Sequence, residues 1–275
     1  MDIQSSVVAE TADYQITLNQ GHTEATVLLV TFDYIGADKK PRGFGTSQAM
    51  ANGADNLHVS QRQGTSYQYL SRAALASATR DIFPNYARVL FFGHSLGGYA
   101  ALYFSWVQNA EVFAICPRCP AHPMFSRLLT KYSQKFLHEP IQKSPDSFWT
   151  VLWDPEDHDN RFIENFVGLK NIDRDIRVQE LGHDNAPKIL TLNGSLQRYL
   201  VEWITQRPIS ALPSFDEGSN FILLRKTAEN LIKLRKFREA VPLLEKSIRL
   251  SDTPKARNLL VAAQKGLASD HRAPT

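Results

Sequence analysis

Short apolar runs alternate with stretches of helical periodicity along the first 205 residues of the chain. The apolar runs predict strands at 24–34, 56–60, 88–92, 111–116, 148–153 and 176–181. The periodic stretches predict helices at 69–83, 98–108, 124–137, 161–169 and 191–205. This alternation is typical of an α/β fold with a mostly parallel sheet, in which ligands bind beyond the carboxyl ends of the strands.

The pattern changes near residue 215, after a stretch with two prolines and two serines that predicts a linker. Apolar residues at helical spacing then predict three helices, at 222–234, 237–250 and 254–267. The proline that begins the third helix suits its first turn, with Asp252 or Thr253 as the N-cap. We therefore predict an α/β domain over residues 1–214 and a helical segment over residues 215–275.

The composition is that of a globular chain, since 43% of its 275 residues are hydrophobic and 21% are charged. The net charge of +3 is unevenly placed, because residues 221–275 carry +7 and residues 1–220 carry −4. The basic segment lacks interleaved aromatic residues, which argues against specific nucleic-acid binding. No apolar run is long enough to span a bilayer, and the first residues lack the regions of a secretory signal. We expect a cytoplasmic protein.

The sharpest chemical signal is Gly93-His94-Ser95-Leu96-Gly97-Gly98, which matches the pattern G-x-S-x-G. A predicted strand precedes it and a predicted helix follows it. That context is the one in which a tight strand-to-helix turn lifts a serine hydroxyl clear of the backbone. Gly93 and Gly97 flank the turn, where a Cβ atom would collide with the neighbouring chain.

The stretch VLFFGHSLGGYAAL around Ser95 resembles the nucleophile elbow of the α/β-hydrolase superfamily. The resemblance covers about residues 20–205 and is close to a bacterial branch with the elbow G-x-S-x-G-G-Y-x-A-L. It implies an α/β-hydrolase fold, with a mostly parallel sheet flanked by helices. It also implies a catalytic triad in the chain order serine, acid, histidine.

His183 is the histidine that best fits the base, because it follows the last predicted strand and precedes the last predicted helix of the domain. The acid should follow the strand at 148–153, where three aspartates compete. Asp159 is preferred, because it enters a helix in the manner of the superfamily's acid. Asp157 is the first alternative, and Asp154 either serves as the acid or braces the turn. The same stretch lacks the glycine and the late glutamate of an EF-hand calcium loop, so we expect no metal.

Two backbone amides should stabilise the oxyanion that forms when the serine attacks a carbonyl carbon. One is the N–H of Leu96, directly after the serine. The other comes from the loop after the strand at 24–34, where Phe32 or Asp33 is the expected donor. A carboxylate beside an oxyanion would hinder the reaction, so we expect the Asp33 side chain to point away or to bond within its loop.

Cys116 and Cys119 form a CxxC pattern that is compatible with redox chemistry or with zinc. A closed zinc site needs four ligands, and His122 would be only the third. We therefore expect two thiols that are not joined to one another. Residues 117–146 have room for a small lid of one or two helices.

The C-terminal helices resemble a tetratricopeptide repeat, with Ala228, Leu231, Ala240 and Leu244 at about its positions. A lone repeat cannot bury its own apolar face, so we expect docking, self-association or a protein partner.

The function that these features predict is a serine hydrolase, of the carboxylesterase kind, that cleaves a small-molecule ester or thioester through an acyl-enzyme. No cofactor is expected. One alternative is an acyltransferase that uses the same residues on a glycan or lipid. A second alternative is a non-catalytic interaction protein on a hydrolase scaffold.

Overall fold

One eight-stranded sheet organises the larger part of the molecule. The computed structural model of the chain describes residues 3–125, 135–157, 160–179, 181–192, 194–206 and 221–270. The strands are β1 (Gln4–Glu10), β2 (Tyr14–Gln20), β3 (Val27–Phe32), β4 (Asp55–Gln61), β5 (Arg88–His94), β6 (Glu111–Ile115), β7 (Phe148–Trp153) and β8 (Arg174–Arg177). Their order in the sheet is β1-β2-β4-β3-β5-β6-β7-β8. β2 pairs antiparallel with β1 and with β4, and every other pair is parallel.

The middle strands are almost completely buried, which explains why they read as continuous apolar runs. The predicted α/β class and its mostly parallel sheet are confirmed. The pattern missed the hairpin of β1 and β2, because β1 is largely exposed and the buried residues of β2 include the polar Thr17 and Asn19 beside Ile16. The pattern also predicted the last strand at 176–181, whereas the strand lies at Arg174–Arg177. β8 is a short edge strand in which Ile176 is the one apolar residue among charged ones.

Among the described residues, six helices lie between β3 and residue 206. They are α1 (Thr46–Ala51), α2 (Arg72–Thr79), α3 (Leu96–Phe104), α4 (Asn160–Phe162), α5 (Ala186–Leu192) and α6 (Ser195–Ile204). A π-helical stretch, Ile163–Gly168, continues α4. α2 begins after Ser71, whose hydroxyl accepts a hydrogen bond from the Ala74 amide at 3.0 Å.

Two of the predicted helices differ from the structure. The single helix at 191–205 is divided, because Gly194 has a φ of +71° and α6 begins directly after it. Of the helix at 124–137, residues 126–134 lie outside the described residues, and residues 135–137 are not helical. The predicted linker and the domain boundary near residue 215 also lie outside the described part of the chain and stay predictions.

Three helices form the C-terminal segment: α7 (Phe221–Lys233), α8 (Phe237–Leu250) and α9 (Pro254–Asp270). Ala228 and Ala240 are fully buried, and a Cβ atom on Gly266 would lie 2.5 Å from the ring of Phe237. Small residues therefore let these helices approach closely. The Ala256 amide donates to Thr253 Oγ1 at 3.3 Å, so Thr253 provides the N-cap of α9. The resemblance to a tetratricopeptide repeat stays a prediction.

The chain divides into two compact units. The first contains Met1–His183 and Gln197–Ile209, and the second contains Asp184–Leu196 and Ser210–Thr275. Within the described residues, every helix is too short or too polar to traverse a bilayer.

Candidate active site

Ser95 lies at a sharp turn between β5 and α3. Its backbone angles are φ 58° and ψ −121°, a conformation that a residue with a side chain rarely adopts. Three backbone hydrogen bonds hold it there. The Ser95 amide donates to the Ile115 carbonyl at 2.9 Å, and the Ser95 carbonyl accepts from the amides of Tyr99 and Arg118, both at 3.0 Å.

Two glycines make this turn sterically feasible. A Cβ atom on Gly93 would lie 2.2 Å from the carbonyl carbon and oxygen of Gly97. A Cβ atom on Gly97 would lie 2.5 Å from the Phe32 carbonyl oxygen and 3.1 Å from that of Asp33. The end of β3 therefore lies directly against the first turn of α3, and no larger residue fits at either position.

The His183 ring lies beside the serine hydroxyl. His183 Nε2 is 2.7 Å from Ser95 Oγ, and the two residues are only 4% and 5% exposed. With a neutral imidazole, the serine hydroxyl donates and Nε2 accepts. This is the geometry that a general base needs in order to remove a proton from a nucleophile.

Side chains from two other segments hold the backbone of His183. Its amide donates to Asp157 Oδ2 at 2.8 Å, and its carbonyl accepts from His94 Nε2 at 3.1 Å. Burial is the main cause that lowers the pKa of His94 to about 3, so this ring is neutral and carries its proton on Nε2. Sequence reasoning did not find this role of His94, because no local pattern links residues 94 and 183.

The three candidate aspartates differ in their contacts. Asp154 is buried and uses both carboxylate oxygens on backbone amides, accepting from Glu156 at 3.0 Å and from Gly182 at 2.7 Å. Asp157 accepts from the His183 amide. Asp159, the preferred candidate, lies outside the described residues. Asp154 thus links the turn after β7 to the residue directly before His183.

The two predicted oxyanion donors lie at the end of β3, with Phe32 as its last residue and Asp33 directly after it. The Asp33 amide donates to the Tyr67 hydroxyl at 2.7 Å, and that hydroxyl donates to the Val59 carbonyl at 2.8 Å. Phe32 is the last residue of β3, and its N–H lies in the parallel ladder with β5, which extends to the pair of Thr31 and Phe92. Both predicted donors therefore stay predictions. The Asp33 carboxylate bonds to Lys40 and His58, within and beside its loop.

Cys116 and Cys119 are both buried, and no disulfide joins them. The Cys119 sulfur accepts from Gln68 Nε2 at 3.7 Å, and burial raises the pKa of its thiol to about 12. A thiol that keeps its proton is a poor nucleophile and a poor zinc ligand. Among the described residues, no three histidine, cysteine or acidic side chains converge as a metal site would require.

A cavity of about 440 Å³ lies between α2, the end of α3 and residues 137–142. Its lining includes Gln68, Arg72, Tyr103, Trp106 and His138. Neither Ser95 nor His183 contributes to its wall, so this cavity is distinct from the space beside the serine.

Comparison with known proteins was made at the level of sequence and of structure. No protein-family model matches the chain, and no curated protein matches it. Solved structures do. A hormone-sensitive lipase from a metagenome library is 11% identical, with a TM-score of 0.52 over 74% of this chain and 84% of that one. An acylaminoacyl peptidase from Pyrococcus horikoshii is 9% identical, with a TM-score of 0.50 over 78% of this chain and 43% of that one.

At such low identities the likeness concerns the fold and nothing further. The strand order independently gives a parallel sheet with an antiparallel pair of strands at one edge. The sequence motif around Ser95 falls at the junction of β5 and α3, in the middle of that sheet. The chain has the α/β-hydrolase fold.

Proposed function

We propose that the protein is a serine hydrolase that cleaves an ester or thioester through an acyl-enzyme. The observation that carries this proposal is the 2.7 Å hydrogen bond between Ser95 Oγ and His183 Nε2 at a strained strand-to-helix turn. A non-glycine residue in such a conformation costs about 1–3 kcal/mol, and strain of this kind concentrates at functional sites.

The reaction follows from the positions of these groups. Ser95 Oγ attacks the carbonyl carbon, and His183 Nε2 removes the hydroxyl proton. The carbonyl oxygen becomes an oxyanion, which accepts a hydrogen bond from the amide of Leu96 and is favoured by the N-terminus of α3. His183 then protonates the departing alkoxide or thiolate. In the second half, His183 removes a proton from water, which attacks the acyl-enzyme and releases the acid.

We propose Asp159 as the acid that orients the His183 ring, with Asp157 as the alternative. The contacts of Asp154 support a bracing role instead, because both of its oxygens accept from backbone amides. The three asparagine variants separate these roles. Loss of the triad acid should lower kcat by about 10⁴-fold without a large loss of stability. The acid is the residue whose variant behaves in this way, and Asp159 is excluded if its variant keeps normal kcat.

The central test compares Ser95→Ala with Ser47→Ala, a substitution at an exposed serine of α1. We expect Ser95→Ala to lower kcat/KM on p-nitrophenyl esters by about 10⁴-fold or more, and Ser47→Ala to leave it unchanged. A fluorophosphonate probe should label the wild type and the Ser47 variant only. Equal labelling or equal hydrolysis by Ser95→Ala would rule out the proposal.

The same assay with added acceptor alcohols distinguishes hydrolysis from acyl transfer. A hydrolase releases mostly free acid as the alcohol concentration rises, whereas a transferase converts the acyl group into a new ester. Free acid as the main product supports the proposed reaction, and a dominant ester product overturns it in favour of the transferase.

A further inference from the structure

The cavity beside α2 has a buried positive charge in its wall. Arg72 is the first residue of α2 and lines the cavity, yet only 8% of its side chain is exposed. Its guanidinium lies over the ring of Tyr103, 4.1 Å from the centroid, and 5.7 Å from the centroid of the Trp106 ring. Aromatic faces attract a cation, but they carry no net negative charge that would neutralise it.

The other partners of this guanidinium leave its charge largely uncompensated. Nε donates to the Tyr103 carbonyl at 3.0 Å, and Nη2 donates to the Pro140 carbonyl at 3.1 Å. Nη1 reaches Glu139 Oε2 only at 3.5 Å, and the Glu139 side chain is 77% exposed, so water screens this pair. Among the described residues, these contacts use three of the five N–H groups and include no buried carboxylate. Because a buried charge without a buried counter-charge is costly, an anion in the cavity would be stabilised there.

The size and the wall of the cavity indicate what kind of anion fits. Its volume of about 440 Å³ is typical of a small-molecule site. Much of the wall is apolar or aromatic and is formed by Ala73, Ala76, Tyr103, Trp106, Val107 and Leu137. The side of α2 that faces the cavity carries only methyl groups at positions 73 and 76, which leaves room beside the helix. A ligand therefore needs a compact apolar body as well as a negative charge.

A single negative charge suits the cavity better than two. His138 supplies no second positive charge, because Nδ1 accepts from the Tyr99 hydroxyl at 2.7 Å and Nε2 donates to the Tyr67 carbonyl at 2.8 Å. Burial lowers the pKa of His138 to about 4, so this ring is neutral. The Glu139 carboxylate also lines the cavity and would repel a doubly charged group such as phosphate. A carboxylate carries one charge and matches the planar fork of a guanidinium.

We propose that this cavity is a binding site for a monocarboxylate with a compact apolar or aromatic body. The carboxylate accepts hydrogen bonds from Arg72, and the body of the ligand packs against Tyr103, Trp106 and the alanines of α2. Neither Ser95 nor His183 lines this cavity, so the inference is independent of the proposed hydrolase function.

The test follows the fluorescence of Trp106 during a titration with benzoate. Trp106 is half-exposed, whereas Trp149, Trp153 and Trp203 are buried, so the variant Trp106→Phe identifies its signal. We expect the emission of the wild type to change saturably at benzoate concentrations up to about 10 mM, and Trp106→Phe to lose that change. Benzamide has the same ring without the charge and should bind about tenfold more weakly, or less well still.

Two substitutions of different kinds locate the binding. Arg72→Lys keeps the charge but loses the planar fork, and Arg80→Lys is its control at an exposed arginine directly after α2. Ala76→Leu fills the cavity without altering a charge, and Ser77→Leu is its control at an exposed position of the same helix. We expect Arg72→Lys and Ala76→Leu to weaken benzoate binding by about tenfold or more, and both controls to match the wild type.

The results that would overturn the proposal are distinct from one another. They are the absence of a saturable change in the wild type, equal affinity for benzoate and benzamide, tighter binding of inorganic phosphate than of benzoate, and unchanged benzoate affinity in both site variants. Should Arg72→Lys fail to fold, Ala76→Leu decides alone, because Ala76 is exposed and its side chain makes no hydrogen bond.

Discussion

The turn that carries Ser95 and the loop that carries His183 are held by different kinds of contact. Backbone hydrogen bonds and the absence of Cβ atoms fix the turn, with Gly93 and Gly97 packed against backbone atoms. Side chains from residues distant in sequence fix the His183 loop by bonding to backbone N–H and C=O groups of residues 182 and 183.

The serine and the histidine therefore depend on different features of the structure. The position of the serine depends on local sterics, which tolerate no substitution at two glycines. The position of the histidine depends on hydrogen bonds from polar side chains. These bonds are lost when a side chain loses an acceptor oxygen or changes its protonation. Substitutions in the turn should therefore prevent folding or strongly lower stability. Substitutions around the His183 loop should cause smaller losses of activity or stability, and some of these losses should depend on pH.

The largest effect is expected for Gly93→Ala, because its methyl group would lie 2.2 Å from backbone atoms. We expect a loss of about 3 kcal/mol or more in the free energy of unfolding, or no folded protein. Gly53→Ala is the matched control: its φ is +78° but no atom lies within 4 Å of the added group. It should cost only about 1–2 kcal/mol. Urea unfolding measures both, and equal losses would contradict the steric account of the turn.

A smaller effect is expected for Asp154→Asn. The amide group keeps one acceptor oxygen, so either the Glu156 or the Gly182 amide loses its partner. A buried amide without an acceptor costs about 1–3 kcal/mol. We expect a loss of stability in that range together with a fall in kcat, because Gly182 precedes the base.

Asp81→Asn controls for the change of charge, since Asp81 is an exposed aspartate. Its unfolding curve and its kcat should match those of the wild type. A normal kcat in Asp154→Asn, at whatever stability, would show that the segment before His183 does not need this brace.

The smallest effect is a pH dependence that His94 contributes. Its pKa is about 3 in the folded chain against an ordinary value of 6.5, and that of His138 is lowered to about 4, in both cases mainly by burial. Between these values and 6.5 the unfolded chain binds protons that the folded chain does not. Stability should therefore fall as the pH is lowered from about 6.5 towards 4.

His94→Gln removes one of these two groups and keeps an N–H donor for the His183 carbonyl. Urea unfolding measured between pH 7 and pH 5 should show a shallower decline for this variant than for the wild type. An identical slope in the two proteins would mean that His94 is not the buried neutral group described here.

Much of the fold follows from local patterns, whereas the support of the site does not. The middle strands and the context of Ser95 are contiguous in the chain, so periodicity and a short motif predict them. The hairpin of β1 and β2 was missed because β1 is largely exposed and two of the three buried residues of β2 are polar. The edge strand β8 was placed too late because its charged residues carry little hydrophobic signal.

The contacts around the proposed catalytic residues connect residues that are far apart. The bond from Asp154 to Gly182 spans 28 residues, and the one from His94 to His183 spans 89. The engagement of the Asp33 amide depends on Tyr67, which is 34 residues away. No spacing rule encodes such pairs, because they exist only once the sheet brings the loops together.

His94 is the covalent neighbour of Ser95, and this has a mechanical consequence. The serine hydroxyl contacts the His183 ring, the His183 carbonyl contacts the His94 ring, and the peptide bond returns to the serine. These two hydrogen bonds and the peptide bond form a ring of contacts around the reacting atoms. The His183 imidazole therefore cannot rotate away from Ser95 without breaking a hydrogen bond.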